Sequence, residues 1–161
     1  MPLSDDKIKE LLAKPKPFVG STKTRVNFRD LSSLNELWIA WAAGFIDGEG
    51  AIMIVKSTRQ VALQMYVTQK KSEPLLKLEE MFGGSLEYSD KRDIYGWRIY
   101  GEAATRCLRV IRPYLLVKGE HADIAIEFQE VCFGTGVPFS AKLEYYERMK
   151  PLQRKRNHAN D

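Results

Sequence analysis

Apolar positions along this chain change period several times, and each change marks an element. From Leu34 onward they fall at Leu34, Leu37, Trp38, Trp41 and Phe45, the spacing of a helix face, and Ile39 and Ile46 widen the stripe. Ser33 and Glu36 stand at its start in the S-x-x-E spacing of a capping box. Ala51 to Ser57 is rich in strand formers, and a tight turn at Thr58-Arg59-Gln60 divides it from Val61–Thr68. There the alternation is strict, with Val61, Leu63, Met65 and Val67 on one face and Ala62, Gln64, Tyr66 and Thr68 on the other. Ser72 and Pro74 open a second helix that runs to Phe82 and stops at Gly83-Gly84. Strands at 85–90 and 94–100 follow, joined by the charged turn Asp90-Lys91-Arg92-Asp93; Trp97 and Ile99 share one face and Arg98 the other. Glu102–Ile111 is amphipathic and ends before Pro113. Lys118 starts a helix reaching Cys132, and Ser140 caps a last one that includes Lys142–Lys150.

This order predicts an α+β fold, αββαββα, with one four-stranded antiparallel sheet, helices on one face and the other face open. The length of 161 residues fits one domain, over 33–156, with an N-terminal extension at 1–32 and a short tail at 157–161. The extension reads as a short helix from Ser4 to Lys14 and then a basic arm. No internal repeat is present.

Composition narrows the function classes. A hydrophobic content of 44% supports a true core, and a net charge of +4 permits nucleic-acid binding without demanding it. The placement of charge says more. No acid falls between Glu10 and Asp30, where Lys14, Lys16, Lys23, Arg25 and Arg29 lie, or between Glu49 and Glu73, where Lys56, Arg59, Lys70 and Lys71 lie. The two cysteines, Cys107 and Cys132, lack metal-ligand spacing and read as buried thiols. With only His121 and His158, a zinc site or a Ser-His triad is disfavoured. No secretory signal or membrane-length apolar run appears, so the expectation is a soluble intracellular protein, cytoplasmic or organellar, with no membrane partner.

The chemically odd stretch closes the first helix. Asp47-Gly48-Glu49-Gly50 puts two acids at the negative end of the helix dipole, where exposed acids are unfavourable by roughly 0.3–1 kcal/mol each. A bound cation would reverse that sign, and the glycines can free a backbone carbonyl as an added oxygen ligand. An ordinary D-G helix stop is the alternative. Just upstream, Ala40, Ala42, Ala43 and Gly44 are small enough to let another backbone approach.

Ala42–Gly50, AAGFIDGEG, resembles the motif of the LAGLIDADG homing endonucleases, with Ala42 and Phe45 in place of leucines and Glu49 in place of the last Asp. The αββαββα order is also that of the LAGLIDADG domain. Further landmarks are Val67-Thr68-Gln69-Lys70, Pro113-Tyr114-Leu115-Leu116-Val117-Lys118 and Trp97-Arg98-Ile99, so the resemblance runs from Leu34 to Cys132. It implies a metal-dependent, site-specific double-strand DNA endonuclease. Glu49 is then the metal-binding acid, with the Gly48 carbonyl facing the metal. Gln69 is the water-ordering residue and Lys118 the cation near the scissile phosphate. Asp47 is mainly structural, and it stands with Ala43 and Gly44 at a helix–helix interface. One basic pocket residue of some members falls near Glu73 here, a departure that touches proton handling.

A single motif implies a homodimer, whose two sheets form a saddle on a long, near-palindromic target cut with staggered ends in the presence of Mg²⁺. Ser57, Gln60, Gln64, Tyr66 and Arg98 are the implied base readers, and Arg59, Lys91 and Arg92 the implied backbone contacts. An RNA-binding intron maturase and an inactive DNA-binding regulator on the same fold are the alternatives.

Overall fold

The computed structural model describes Ser4, Asp6, residues 28–134 and residues 136–154. The expected N-terminal helix and most of the basic arm, and the tail from Lys155, lie outside the described residues. Helix α1 (Glu36–Glu49) runs directly into β1 (Gly50–Lys56), followed by β2 (Val61–Gln69), α2 (Glu73–Phe82), β3 (Ser85–Ser89) and β4 (Ile94–Tyr100). Then come α3 (Gly101–Ile111), a 3₁₀ turn (Arg112–Tyr114), α4 (Gly119–Cys132) and α5 (Phe139–Arg154). The expected order holds. The sheet is antiparallel throughout, in the order β1-β2-β4-β3.

Alternation decides which face is covered. Ile52, Ile54, Leu63, Met65, Val67, Trp97 and Ile99 are all essentially inaccessible and pack under the helices. At ~25 cal/mol per Å² of apolar area removed from water, burying these side chains favours closing the sheet onto its helices. Their neighbours along each strand, mostly only partly buried, line the other face. This also fixes β1, whose facing the sequence left ambiguous: Ala51, Met53 and Val55 point outward.

The α2–β3 connection is set by close packing. The Trp97 indole N–H donates to the Gly83 carbonyl at 2.8 Å, satisfying the one polar atom of a buried ring. Gly84 has φ +89°, and a Cβ there would meet the Arg98 carbonyl at 2.6 Å, so a side chain is excluded twice over.

Three expected caps differ. The first turn of α1 is capped by Asn35, whose side chain accepts from the Leu37 amide at 2.8 Å, rather than by Ser33. Ser72 occupies the cap position of α2 without a side-chain bond to the helix. Helix α5 begins at Phe139, one residue before Ser140. The end of the extension packs on the domain, with an Arg29–Glu79 ion pair at 2.6 Å and Arg106 over the Phe28 ring. Both cysteines are buried free thiols, and burial pushes both upward in pKa. No helix among the described residues is long and apolar enough to cross a membrane.

Candidate active site and open sheet face

Helix α1 is apolar nearly all round, and the structure chooses which side turns inward. Ala42, Ala43 and Ile46 are fully buried. Leu37 is 80% exposed and Trp38 44% exposed, so much of the stripe read from the sequence lies away from the core. Gly44 and Gly48 sit on the outward side with nothing within 4 Å of where a Cβ would be. Of the residues expected at a helix–helix interface, Gly44 therefore lies on the open side, and Ala43 packs into the chain's own core.

The Asp47 carboxylate is engaged within its own chain. Oδ2 accepts from the amides of Leu116 (2.7 Å) and Val117 (3.2 Å), and Oδ1 from the amide of Lys118 (2.9 Å). These amides lead into α4, so Asp47 serves the start of another helix from the end of its own. Burial raises its pKa, but the three amides and the nearby Lys118 charge outweigh burial, and the carboxyl is held below its ordinary 3.8.

Lys118 answers in the opposite direction. Its ammonium donates to the Asp47 carbonyl, at the C-terminal turn of α1 where no basic residue of the helix itself is present. Lys118, implied by the resemblance as the cation near the scissile phosphate, is only 6% exposed. The segment that carries it is held by a two-point pair from Arg112 to Asp123 at 2.6 and 2.9 Å. Gly119 leaves room for that guanidinium, since a Cβ there would meet it at 3.0 Å.

Glu49 and Gln69 reach the same end of the sheet through strand register. Gly50 pairs with Val67, so the residue before Gly50 stands beside the end of β2, where Gln69 lies. Gly50 makes the direct helix-to-strand passage possible: a Cβ would lie 2.9 Å from the Ile46 carbonyl. Glu49 itself is exposed. Lys118 lines a pocket of about 210 Å³ with Ala51, Met53, His121, Leu152 and Gln153. His121 had been set aside at the level of sequence; its spacing of one helical turn from Lys118 was the available signal.

The expected nucleic-acid contacts separate into three groups. Gln64, Tyr66 and Arg98 share the open face, with Tyr66 directly opposite Arg98 in the ladder. Ser57, Arg59 and Gln60 form the β1–β2 turn, closed by a 2.8 Å bond from the Ser57 amide to the Gln60 carbonyl. Lys91 and Arg92 lie in the β3–β4 turn at the opposite end, the end that also holds Gln69. One acid, overlooked in the sequence, joins the open face: Glu87, paired to Arg98 at 3.0 Å.

Fold and site together define a class: an α+β domain with one acidic motif at a helix–strand junction and one open sheet face. The family model for the LAGLIDADG endonucleases matches residues 42–125, and the chain belongs to that family. No curated protein matches the sequence. Among solved structures, the homing endonuclease I-CvuI in complex with its target in the presence of calcium matches at TM-score 0.65 and 22% identity. That match covers 72% of this chain and 82% of I-CvuI. The group I intron-encoded homing endonuclease I-CeuI, complexed with DNA, matches at TM-score 0.60 and 14% identity, over 74% of this chain and 69% of its own. At these identities the two structures speak to the fold.

Proposed function

We propose that this chain is a site-specific double-strand DNA endonuclease that works as a homodimer with a divalent cation, Mg²⁺. The observation that carries the reading is the α1–β1 junction. An exposed carboxylate, Glu49, ends a helix whose last turn carries no basic residue. It stands beside the strand end bearing Gln69, and the Lys118 ammonium is tied to the same turn.

The residues present fit a hard cation. Among the described residues no group of three or more His, Cys, Asp or Glu converges into a complete cage. Mg²⁺ does not need one, because it is held by one or two carboxylates and completed by water and substrate phosphates. Glu49 would supply the carboxylate and Gly48 a carbonyl oxygen. When bound, the cation supplies charge neutralisation and polarisation of the phosphate. Gln69 orders the attacking water. As the water oxygen bonds to phosphorus, the P–O bond to the leaving sugar oxygen breaks, the proton lost by the water is on balance taken up by that oxygen, and Lys118 offsets charge on the phosphate.

One junction serves one strand, so two copies are needed to cut both. The outward side of α1, with Leu37, Gly44 and Gly48, is the side on which a second α1 would lie about a two-fold axis. Two open sheets then form a saddle over a long, near-palindromic target, and two offset sites leave staggered ends.

The test is selection of cleaved sequences from a plasmid library with Mg²⁺, comparing wild type with Glu49→Gln. Discrete staggered breaks at one sequence, lost in the variant while binding to that sequence survives, are expected. Sequence-specific binding with no cleavage by the wild type would overturn the endonuclease reading.

A further inference from the structure

The open face of the sheet contains one cluster that is more organised than a solvated surface requires. Arg98 lies on β4 between Tyr66 on β2 and Ser85 on β3 in the ladder. Its guanidinium stacks on the Tyr66 ring with 4.4 Å to the centroid. Its Nη2 donates to Glu87 Oε1 at 3.0 Å, and its Nη1 reaches the Tyr100 hydroxyl at 3.5 Å. Three side chains from three strands thus hold one planar cation.

Gly96 explains how the cluster fits. A glycine inside a central strand weakens the strand unless something must come close to it. Here a Cβ on Gly96 would lie 2.9 Å from both Cγ and Oε1 of Glu87 and 3.0 Å from the Tyr66 ring. Glu87 and Tyr66 close over the vacant position from either side. Burial and the hydrogen bond to Glu87 raise the Tyr66 phenol above its ordinary pKa, and its hydroxyl is engaged with the same carboxylate that holds Arg98.

The chemistry of the cluster selects a ligand. A lone surface arginine attracts phosphates anywhere along a backbone. An arginine paired to a carboxylate has lost most of its net charge and keeps directional donors: of the five N–H groups, Glu87 and Tyr100 take one on each Nη and the Nε is buried, which leaves one N–H on each Nη. A part-exposed planar fork of this kind matches the O6/N7 edge of guanine in the major groove. The carboxylate beside it accepts from the N4 amine of the paired cytosine. We propose that Arg98 and Glu87, seated by Tyr66 and Gly96, form one reading unit for a G·C pair in each half of the target. In this unit Arg98 contacts guanine, and Glu87 fixes the fork and turns it away from phosphates.

The inference rests on the endonuclease reading, and the experiment separates the two. Full-length wild type, Arg98→Gln, Glu87→Ala and Gly96→Ala would each be taken through binding selection on a randomised duplex library with Ca²⁺, alongside thermal unfolding. Wild type is expected to select one fixed guanine per half-site. Arg98→Gln should change that position from guanine to adenine, because a glutamine amide pairs with the adenine edge. Glu87→Ala should reduce the guanine preference there ~10- to 100-fold while tightening binding to random duplex, with a steeper salt dependence. Gly96→Ala should loosen the same position with no change in charge. A merely structural role would leave the base preference in place. Wild type that selects a defined site, with Arg98→Gln and Glu87→Ala profiles superimposable on it, overturns the reading unit and leaves the endonuclease reading intact. Wild type that selects no site overturns both.

Discussion

The α1–β1 junction and the open sheet face are both polar, and they are wired differently. At the junction, side chains bond to backbone: Asp47 takes three amides, and Lys118 returns to the Asp47 carbonyl. On the sheet, side chains bond to side chains: Arg98 meets Glu87, Tyr66 and Tyr100. Backbone positions are shared by every substitution, so a site built on them keeps its geometry while neighbours vary. A network of side chains can be exchanged wholesale without moving the strands beneath. The difference suits the proposed division of labour, hydrolysis at the junction and discrimination on the sheet, because one phosphate resembles another and base edges do not.

The largest expected effects come from breaking the junction at its two acids, which should fail in different ways. Glu49→Gln is expected to lower cleavage by about 10²-fold or more with unfolding unchanged, read by single-turnover cleavage and by thermal melts. Asp47→Ala leaves three amides without an acceptor and should lower stability by about 2–3 kcal/mol in urea unfolding, with cleavage falling as the helix ends separate. Equal destabilisation by both substitutions would erase the distinction between a ligand acid and a structural acid.

Acid should expose the same distinction. The Asp47 carboxyl is held below its ordinary value by its amides despite the opposing effect of burial, so its contribution to stability is complete above about pH 4. That contribution is lost as pH falls through the depressed folded-state value. Wild type should therefore lose stability below pH 4 more steeply than Asp47→Asn, in urea titrations from pH 6 to pH 2.5. Parallel curves would show that the carboxylate carries no folding linkage.

Much of this was legible beforehand, and the misses share a cause. Alternation along Val61–Thr68 identified both sheet faces, because a period of two admits only two answers and one was apolar. Helix α1 gave no such contrast: Leu37 and Trp38 on one side compete with Ile39, Ala42, Ala43 and Ile46 on the other, and only packing decides. The burial of Lys118 was invisible for a related reason. Its partner is a carbonyl 71 residues away, and no local pattern encodes a bond to backbone. Glu87 was missed because β3 was read without its neighbour β4, and an acid in an edge strand is unremarkable until Arg98 is found across the ladder.

The outward side of α1 allows a test with opposite signs. A Cβ at Gly44 meets nothing within 4 Å in the single chain, and replacing this mid-helix glycine by leucine should raise the stability of the isolated fold by roughly 0.5–1 kcal/mol. In a two-fold pair the added bulk faces itself, so dimer dissociation should rise by about 10- to 100-fold, measured by light scattering over a concentration series. A variant that dimerises as well as wild type would remove α1 from the interface.

The smallest effect is expected at Gln64, and it bears most directly on how separate the two regions are. Gln64 sits on the open face at mid-strand, opposite Met53 on β1 and Tyr100 on β4. Its side chain is half-exposed and lies on the far side of the sheet from the core. Truncation to alanine should leave unfolding within about 0.5 kcal/mol of wild type, as for surface substitutions away from caps and networks. Cleavage of the preferred site should fall only ~5- to 10-fold, with the change confined to one position per half-site, because a glutamine reads one adenine edge and touches no reacting atom. Competition cleavage across single-base variants of the site would measure this. A stability loss above 1 kcal/mol would show that the face supports the fold as well as reading the target, and a uniform loss across all site variants would tie Gln64 to the junction's chemistry. A loss at one position alone keeps the two regions independent, which is the arrangement that lets the target change while the cutting machinery stays fixed.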